Sequence, residues 1–145
     1  MAEFTYNPVQ EIGYAQNVIL NDSIRCNKGY VLHRNESGIV TLRGIVNNPC
    51  ARSARYRVQF DGNIAVPTGG TAGPISVSIA IDGEPIQTSN AIVTPTVVDA
   101  YFNVVSFAII DVPAGCCYTI SVQNTTASAQ SINVQNANLE VTRIA

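Results

Sequence analysis

The sequence predicts an all-β jelly-roll sandwich of two antiparallel sheets, and three observations predict it. Along residues 55–66 the apolar side chains Tyr56, Val58, Phe60, Ile64 and Val66 fall on even positions, while Arg55, Arg57, Gln59, Asp61 and Asn63 fall on odd ones. Successive side chains of a strand point to opposite faces, so this is a sheet with one apolar and one polar side; a helix would scatter these residues around its axis. The same period of two recurs in nine or ten short segments separated by Gly, Pro, Asn and Asp, the rhythm of a sandwich or jelly roll. Finally, 145 residues at 46% apolar composition are enough for one domain whose core needs no staples.

In chain order, residues 1–16 read as an N-terminal arm and residues 17–145 as the single jelly-roll domain. Val9, Ile12, Gln16 and Ile19 have helical spacing after Asn7-Pro8, but Gly13 interrupts them, and residues 17–20 read better as a short strand. The arm is too polar and too broken to fold alone, yet it carries Phe4, Tyr6, Val9, Ile12 and Tyr14. Segments of this kind gain order in a partner's groove or along a sheet edge, so these five are the expected docking residues. The alternative is that they fold back over their own or a neighbouring barrel.

Further strands are expected at residues 30–33, 38–46 and 55–66. The stretch 67–74, with Pro67, Gly69, Gly70, Gly73 and Pro74, connects two strands. Ile75, Val77, Ile79 and Ile81 then alternate with small polar residues up to Asp82-Gly83, the signature of a type I′ hairpin turn. A short return strand through Pro85 and Ile86 and another at 91–98 follow. Residues 101–112 differ, because Tyr101, Val105, Phe107 and Ile109 fill one face while Phe102, Val104, Ala108, Ile110 and Val112 fill the other. A strand apolar on both faces is covered on both. One face meets the core and the other needs a partner; we expect Phe102, Val104, Ala108 and Ile110 to form that outer, interface face, and an oligomer broken at Phe107 instead would reverse the assignment. Tyr118, Ile120 and Val122 alternate in the next strand. In the last, Ile132 and Val134 are even but Leu139 and Val141 odd, which implies a β-bulge near residues 136–138.

The chemistry-bearing residues exclude more than they assign. The lone histidine, His33, has no nucleophile in a recognisable elbow and reads as an edge-strand residue. The glycine-rich loop lacks the Gly-Lys-Ser/Thr of a phosphate loop. The carboxylates are dispersed at turns, without the dense Asp/Asn loop that calcium needs, and Asp111 reads as a turn cap. Arg52, Arg55 and Arg57 read as the solvated face of a strand. Cys26, Cys50, Cys116 and Cys117 contain no C-x-x-C; reduced thiols are expected, with Cys26 and Cys50 able to approach one another. Asn21, Asn35 and Asn124 begin glycosylation sequons. No catalytic, metal or cofactor-binding residue is therefore expected. A net charge of −2 gives no footprint for nucleic acid, and no apolar stretch approaches the ~20 residues of a membrane helix. Without a basic n-region or apolar h-region at its start, the chain is expected to be made in the cytoplasm.

The order of segments carries a resemblance. Gln16-Asn17-Val18-Ile19-Leu20 precedes the strand at Ser37-Gly38-Ile39-Val40, the aromatic strand at 55–64, the strand ending in Asp82-Gly83, the segment Val112-Pro113-Ala114-Gly115-Cys116-Cys117, and a closing strand at the C-terminus. This resembles the trimeric jelly rolls of the tumour-necrosis-factor and complement-globular-head type over about residues 17–145. It is also similar to their bacterial and phage relatives, including C-terminal domains of spore-surface glycoproteins, and to small virion proteins encoded in prophages of gut Firmicutes. Two departures are the missing collagen-like stalk and the Cys116-Cys117 pair. The resemblance implies a homotrimer in which inner-sheet side chains pack about the threefold axis, which gives a place to the doubly apolar strand. The expected function is a structural virion protein, a trimeric capsid decoration or head-fibre component that docks on a capsid or other virion protein. The alternative is a trimeric head recognising a bacterial glycan or receptor, for which Tyr6, Tyr14 and Tyr30 are the aromatic candidates. A charged fraction of 12%, low for a soluble monomer, fits either assembly.

Overall fold

The computed structural model describes residues 1–25, 29–45 and 50–145. It is a jelly-roll sandwich of two antiparallel sheets. The first sheet joins β10 (Phe102–Pro113), β6 (Ser53–Ala65), β12 (Ile132–Arg143), β1 (Ala2–Tyr6) and β3 (Asp22–Arg25) in that order, with β2 (Gln10–Ile12) also paired to β12. The second joins β4 (Val31–His33), β5 (Val40–Arg43), β11 (Cys117–Asn124), β7 (Ile75–Ile81) and β8 (Glu84–Pro85), with β9 (Ala91–Val93) on β7.

The expected alternation sets the core. Tyr56, Val58, Phe60 and Ile64 of β6 face Ile75, Val77 and Ile79 of β7 and Ile120 and Val122 of β11 in one buried cluster; Ile81 and Tyr118, nearer strand ends, are only partly buried. Tyr56 reaches across the interior, its hydroxyl donating to the Arg43 carbonyl at 2.6 Å and the Tyr30 carbonyl at 3.3 Å, so a first-sheet side chain is tied to the backbone at the β4–β5 end of the second. The hairpin at Asp82-Gly83 has φ of 50° and 87°, both positive as a type I′ turn requires. The parity change in β12 is a register shift between Gln135 and Asn138, with Asn136 at φ 54°. Gly44 is fixed by close approach, since a Cβ there would run into the Pro113 carbonyl oxygen. Residues 46–49 of the expected strand and turn lie outside the described residues, as does Cys26.

The N-terminal arm is not a separate element. β1 pairs with β12 from Ala2↔Val141 to Tyr6↔Ala137, and β2 pairs with it from Ile12↔Ile132 to Gln10↔Val134. Phe4 and Ile12 are 2% and 3% exposed, so they are core residues of their own sandwich and not free to dock on a partner. The physical reason is β12: on the side away from β6 its backbone groups need partners both before and after the bulge, and β2 and β1 supply them. The domain thus takes in residues 1–16. The segment expected as a strand at 17–20 instead crosses between the sheets, with single bridges from Asn17 to Gln123 and Leu20 to Ser37 and with Val18 and Leu20 buried.

Candidate functional site

β10 is the outermost strand of the first sheet and pairs with β6 from Phe102↔Ile64 to Pro113↔Ser53. Period two places Val104, Ser106, Ala108, Ile110 and Val112 inward, and all five are buried. Val105, Phe107 and Ile109 point outward and remain 54%, 45% and 47% exposed. The faces are therefore the reverse of the expected ones: Val104, Ala108 and Ile110 belong to the core, and only Phe102, at the strand's start, is exposed among the four residues assigned to an interface. Composition could not decide this, because both faces of β10 are apolar. The register with β6 decides it: cross-strand partners point to the same side, and Ser106, Ala108 and Ile110 lie opposite the buried Phe60, Val58 and Tyr56. On that inner face the Ser106 hydroxyl donates to the Ser89 carbonyl.

The outward row is bordered by β6 side chains. Ile109 lies opposite Arg57, Phe107 opposite Gln59 and Val105 opposite Asp61. The Arg57 guanidinium stands 5.3 Å from the centre of the Phe107 ring, a cation–π contact that covers part of the ring with a charged group. Arg55 makes a two-point ion pair with Asp111 at 2.7 and 3.0 Å, so Asp111 is a cross-strand partner rather than the expected turn cap. The hydrogen bonds from Arg55 hold the Asp111 carboxyl below its ordinary range, and Asp111 in turn raises Arg55. Burial, and next to it the charge of Glu3, raises Asp61. On the same outer side, the side-chain Oδ1 of Asn138 is buried without a hydrogen-bond partner among the described residues. An unpaired buried acceptor of this kind costs free energy until another surface supplies a donor.

The remaining expected residues scatter. Val9 and Tyr14 are exposed and Tyr6 is half-buried, but they lie on different loops and edges and do not form one surface with Phe4 and Ile12. Tyr30 is exposed at the other end, with Arg143 at 4.4 Å from its ring centre. His33 is half-buried on β4, with Nε2 2.9 Å from the Ser37 carbonyl and its ring 4.5 Å from Phe4. Cys116 and Cys117 carry free thiols. Asn124, at the head of a sequon, is fully buried with its amide donating to the carbonyls of Ile12 and Gln130, so it presents no nitrogen to a glycan-transferring enzyme. Among the described residues no three His, Cys, Asp or Glu side chains converge as a metal site would need, and no helix is long and apolar enough to cross a membrane.

No family model matches the chain, and no curated protein does. Solved structures do match over nearly the whole length. Eiger TNF from S. frugiperda superposes with a TM-score of 0.72 at 13% identity, over 99% of this chain and 91% of that one. The globular domain of zebrafish complement 1qA protein gives 0.64 at 11% identity, over 99% and 96%. Murine APRIL gives 0.54 at 15% identity, over 96% and 98%. At these identities the likeness is one of fold, and the fold is the jelly roll of the tumour-necrosis-factor and complement-head type.

Proposed function

We propose that the chain is a non-catalytic head that works as a homotrimer and binds rather than reacts. The observation that carries this reading is the row Val105, Phe107 and Ile109, about half exposed on the outer face of the first sheet. Side chains of that size, set along one face of the strand, make an apolar row of the sort that marks an interaction surface. The unmatched side-chain oxygen of Asn138 lies on the same side of the sheet and favours a surface that is covered in the assembled protein. The sequence resemblance to trimeric jelly rolls supports threefold closure. Within this proposal, the head serves as a capsid decoration or head-fibre component of a phage virion.

A second reading, recognition of a surface glycan, is favoured by an uncharged cleft on the second sheet lined by Ser78, Gln87, Asn90, Gln123 and Thr125, and the two are compatible in a virion head that holds a sugar. Static light scattering at micromolar concentration tests the assembly: a mass near three chains is expected, and a mass near one chain overturns it. Phe107→Asp is expected to return the mass to one chain while leaving the β-sheet circular dichroism intact. The virion assignment is tested by the genes beside the coding sequence. Capsid and portal genes support it, and a neighbourhood without any virion gene counts against it.

A further inference from the structure

A cleft of about 290 Å³ opens on the outer side of the second sheet, where the loop after β2 meets β7, β11 and the short 3-10 turn Gln87–Ser89. Tyr14, Ser78, Gln87, Asn90, Gln123 and Thr125 supply its polar and aromatic lining, and no charged side chain lines it. Its size is at the small end of the ~300–1,000 Å³ typical of small-molecule clefts.

The amides of this cleft are held in fixed orientations. Asn90 Oδ1 accepts from the Ser78 hydroxyl at 2.8 Å and from the Thr125 hydroxyl at 2.9 Å. Thr125 Oγ1 is itself 2.9 Å from Ser76 Oγ and 3.2 Å from Ser78 Oγ, so the hydroxyls form one network beneath the amide. With its oxygen committed twice, Asn90 has its Nδ2 donors left for the cleft. Gln123 is fixed the other way: its Nε2 donates to the Ala15 carbonyl at 3.1 Å, which leaves Oε1 as the acceptor. Gln87 and the ring of Tyr14 stand exposed on the rim.

We infer that this cleft binds a neutral saccharide of about monosaccharide size. The inference rests on the reading of the chain as a binding head and names the ligand class and the site. A sugar hydroxyl is both donor and acceptor, so an oriented amide N–H beside an oriented amide C=O matches a pair of neighbouring hydroxyls. The ring of Tyr14 offers an apolar face for the C–H side of the sugar. Phosphate, carboxylate and ammonium ligands find no counter-charge here and would be desolvated without compensation. The supporting network is already complete without ligand, so little ordering cost falls on binding. The site lies on the sheet opposite the Val105–Phe107–Ile109 row and stays open when that row is covered.

The test is two-dimensional NMR of the full chain, following side-chain amides against methyl glycosides of glucose, galactose, mannose and N-acetylglucosamine, with glucose 6-phosphate as the charged probe. At least one neutral glycoside is expected to shift the Asn90, Gln87 and Gln123 amides saturably, with an affinity in the millimolar range, about 4 kcal/mol. Tyr14→Ala and Gln87→Ala remove rim groups that no internal hydrogen bond needs, and each is expected to weaken that affinity about tenfold, with Asn90→Ala abolishing it. If Asn90→Ala misfolds, the two rim variants decide. Absence of shifts with every neutral glycoside, tighter binding of glucose 6-phosphate, or unchanged affinity in both rim variants overturns the inference. Light scattering on the same samples separates the two readings: a trimer that binds no glycoside removes only the cleft, and a monomer that binds one removes only the trimer.

Discussion

On the outer face of the first sheet, Val105, Phe107 and Ile109 stand about half in water beside Arg57 and Gln59. On the outer face of the second, Ser76 and Ser78 are 5% and 2% exposed, buried beneath Thr125 and Asn90. The usual arrangement of a sandwich, apolar inside and polar outside, is thus broken in opposite senses on its two sides. An apolar row left in water gains free energy when another protein surface covers it. A polar row already covered by its own hydroxyls and amides gains nothing from more protein, but it can hold polar groups rigidly toward a small ligand. The two faces therefore suit different partners.

The largest expected effect removes what both faces share. Phe60→Ala, in the centre of β6 and fully buried, should cost about 3–5 kcal/mol, because it deletes a large core side chain and leaves a cavity. Urea unfolding followed by circular dichroism measures it, and a loss under about 1 kcal/mol would place Phe60 outside the core. Next is a paired test on one strand. Val104→Asp buries an unpaired carboxylate in the interior and should destabilise the chain by several kcal/mol. Phe107→Asp, three residues away on the other face, should change the unfolding free energy of the separated chain by no more than about 0.5 kcal/mol. If the two variants exchange behaviours, the faces of β10 are misassigned here.

A smaller effect probes how the second face is held. Asn124 donates to Ile12 at 3.0 Å and Gln130 at 2.9 Å, and its Oδ1 accepts from the Thr126 amide at 3.1 Å. One buried side chain thus clamps the end of β2, the loop before β12 and the segment carrying Thr125. Asn124→Ala strands three backbone groups and should cost about 2–4 kcal/mol. The amides of Tyr14 and Thr125 should also lose hydrogen-exchange protection before those of β6, because the clamp lies under the cleft and not under the first sheet.

How far these features were readable from the residues differs by region. The long strands, the Asp82-Gly83 turn and the bulge in β12 were legible, because period two and its phase change depend only on neighbours in sequence. The orientation of β10 was not. Val104 and Phe107 are equally apolar, and the side each takes is set by the register with β6, a strand distant in sequence that places Val104 opposite Gly62 and Phe107 opposite Gln59. The arm misled for a related reason: Pro8 and Gly13 announce a broken segment, but its partner, β12, lies more than a hundred residues downstream. The cleft was the least legible of all. Tyr14 could be singled out as an exposed aromatic, yet Asn90, Gln87 and Gln123 look like ordinary loop and strand polarity until the fold gathers them.

The smallest effect is the pH dependence of stability, and its sign separates the faces again. Asp61, on the first face, is raised chiefly by burial, so the folded chain takes up its proton before the unfolded chain does. Stability should therefore rise slightly as pH falls from 7 through the folded Asp61 value toward the unfolded one, about 3.9. Asp82, at the second sheet's hairpin, is lowered by hydrogen bonds from the backbone N–H and hydroxyl of Thr119, at 2.9 and 2.8 Å. Asp111 is lowered by Arg55. These two contribute stability that is present above the unfolded value and lost as pH falls through their folded values, so a decline should follow the shoulder. Urea midpoints measured across this range should show both limbs. Asp61→Asn should flatten the shoulder, and Asp82→Asn should soften the decline. The shoulder also bears on assembly. If a neighbouring subunit covers the first face, part of Asp61's desolvation comes from it, and the shoulder should shrink in the Phe107→Asp monomer while the acid limb set by Asp82 stays where it was. A shoulder identical in monomer and oligomer would mean that Asp61 lies outside the covered surface and that the interface stops short of β6.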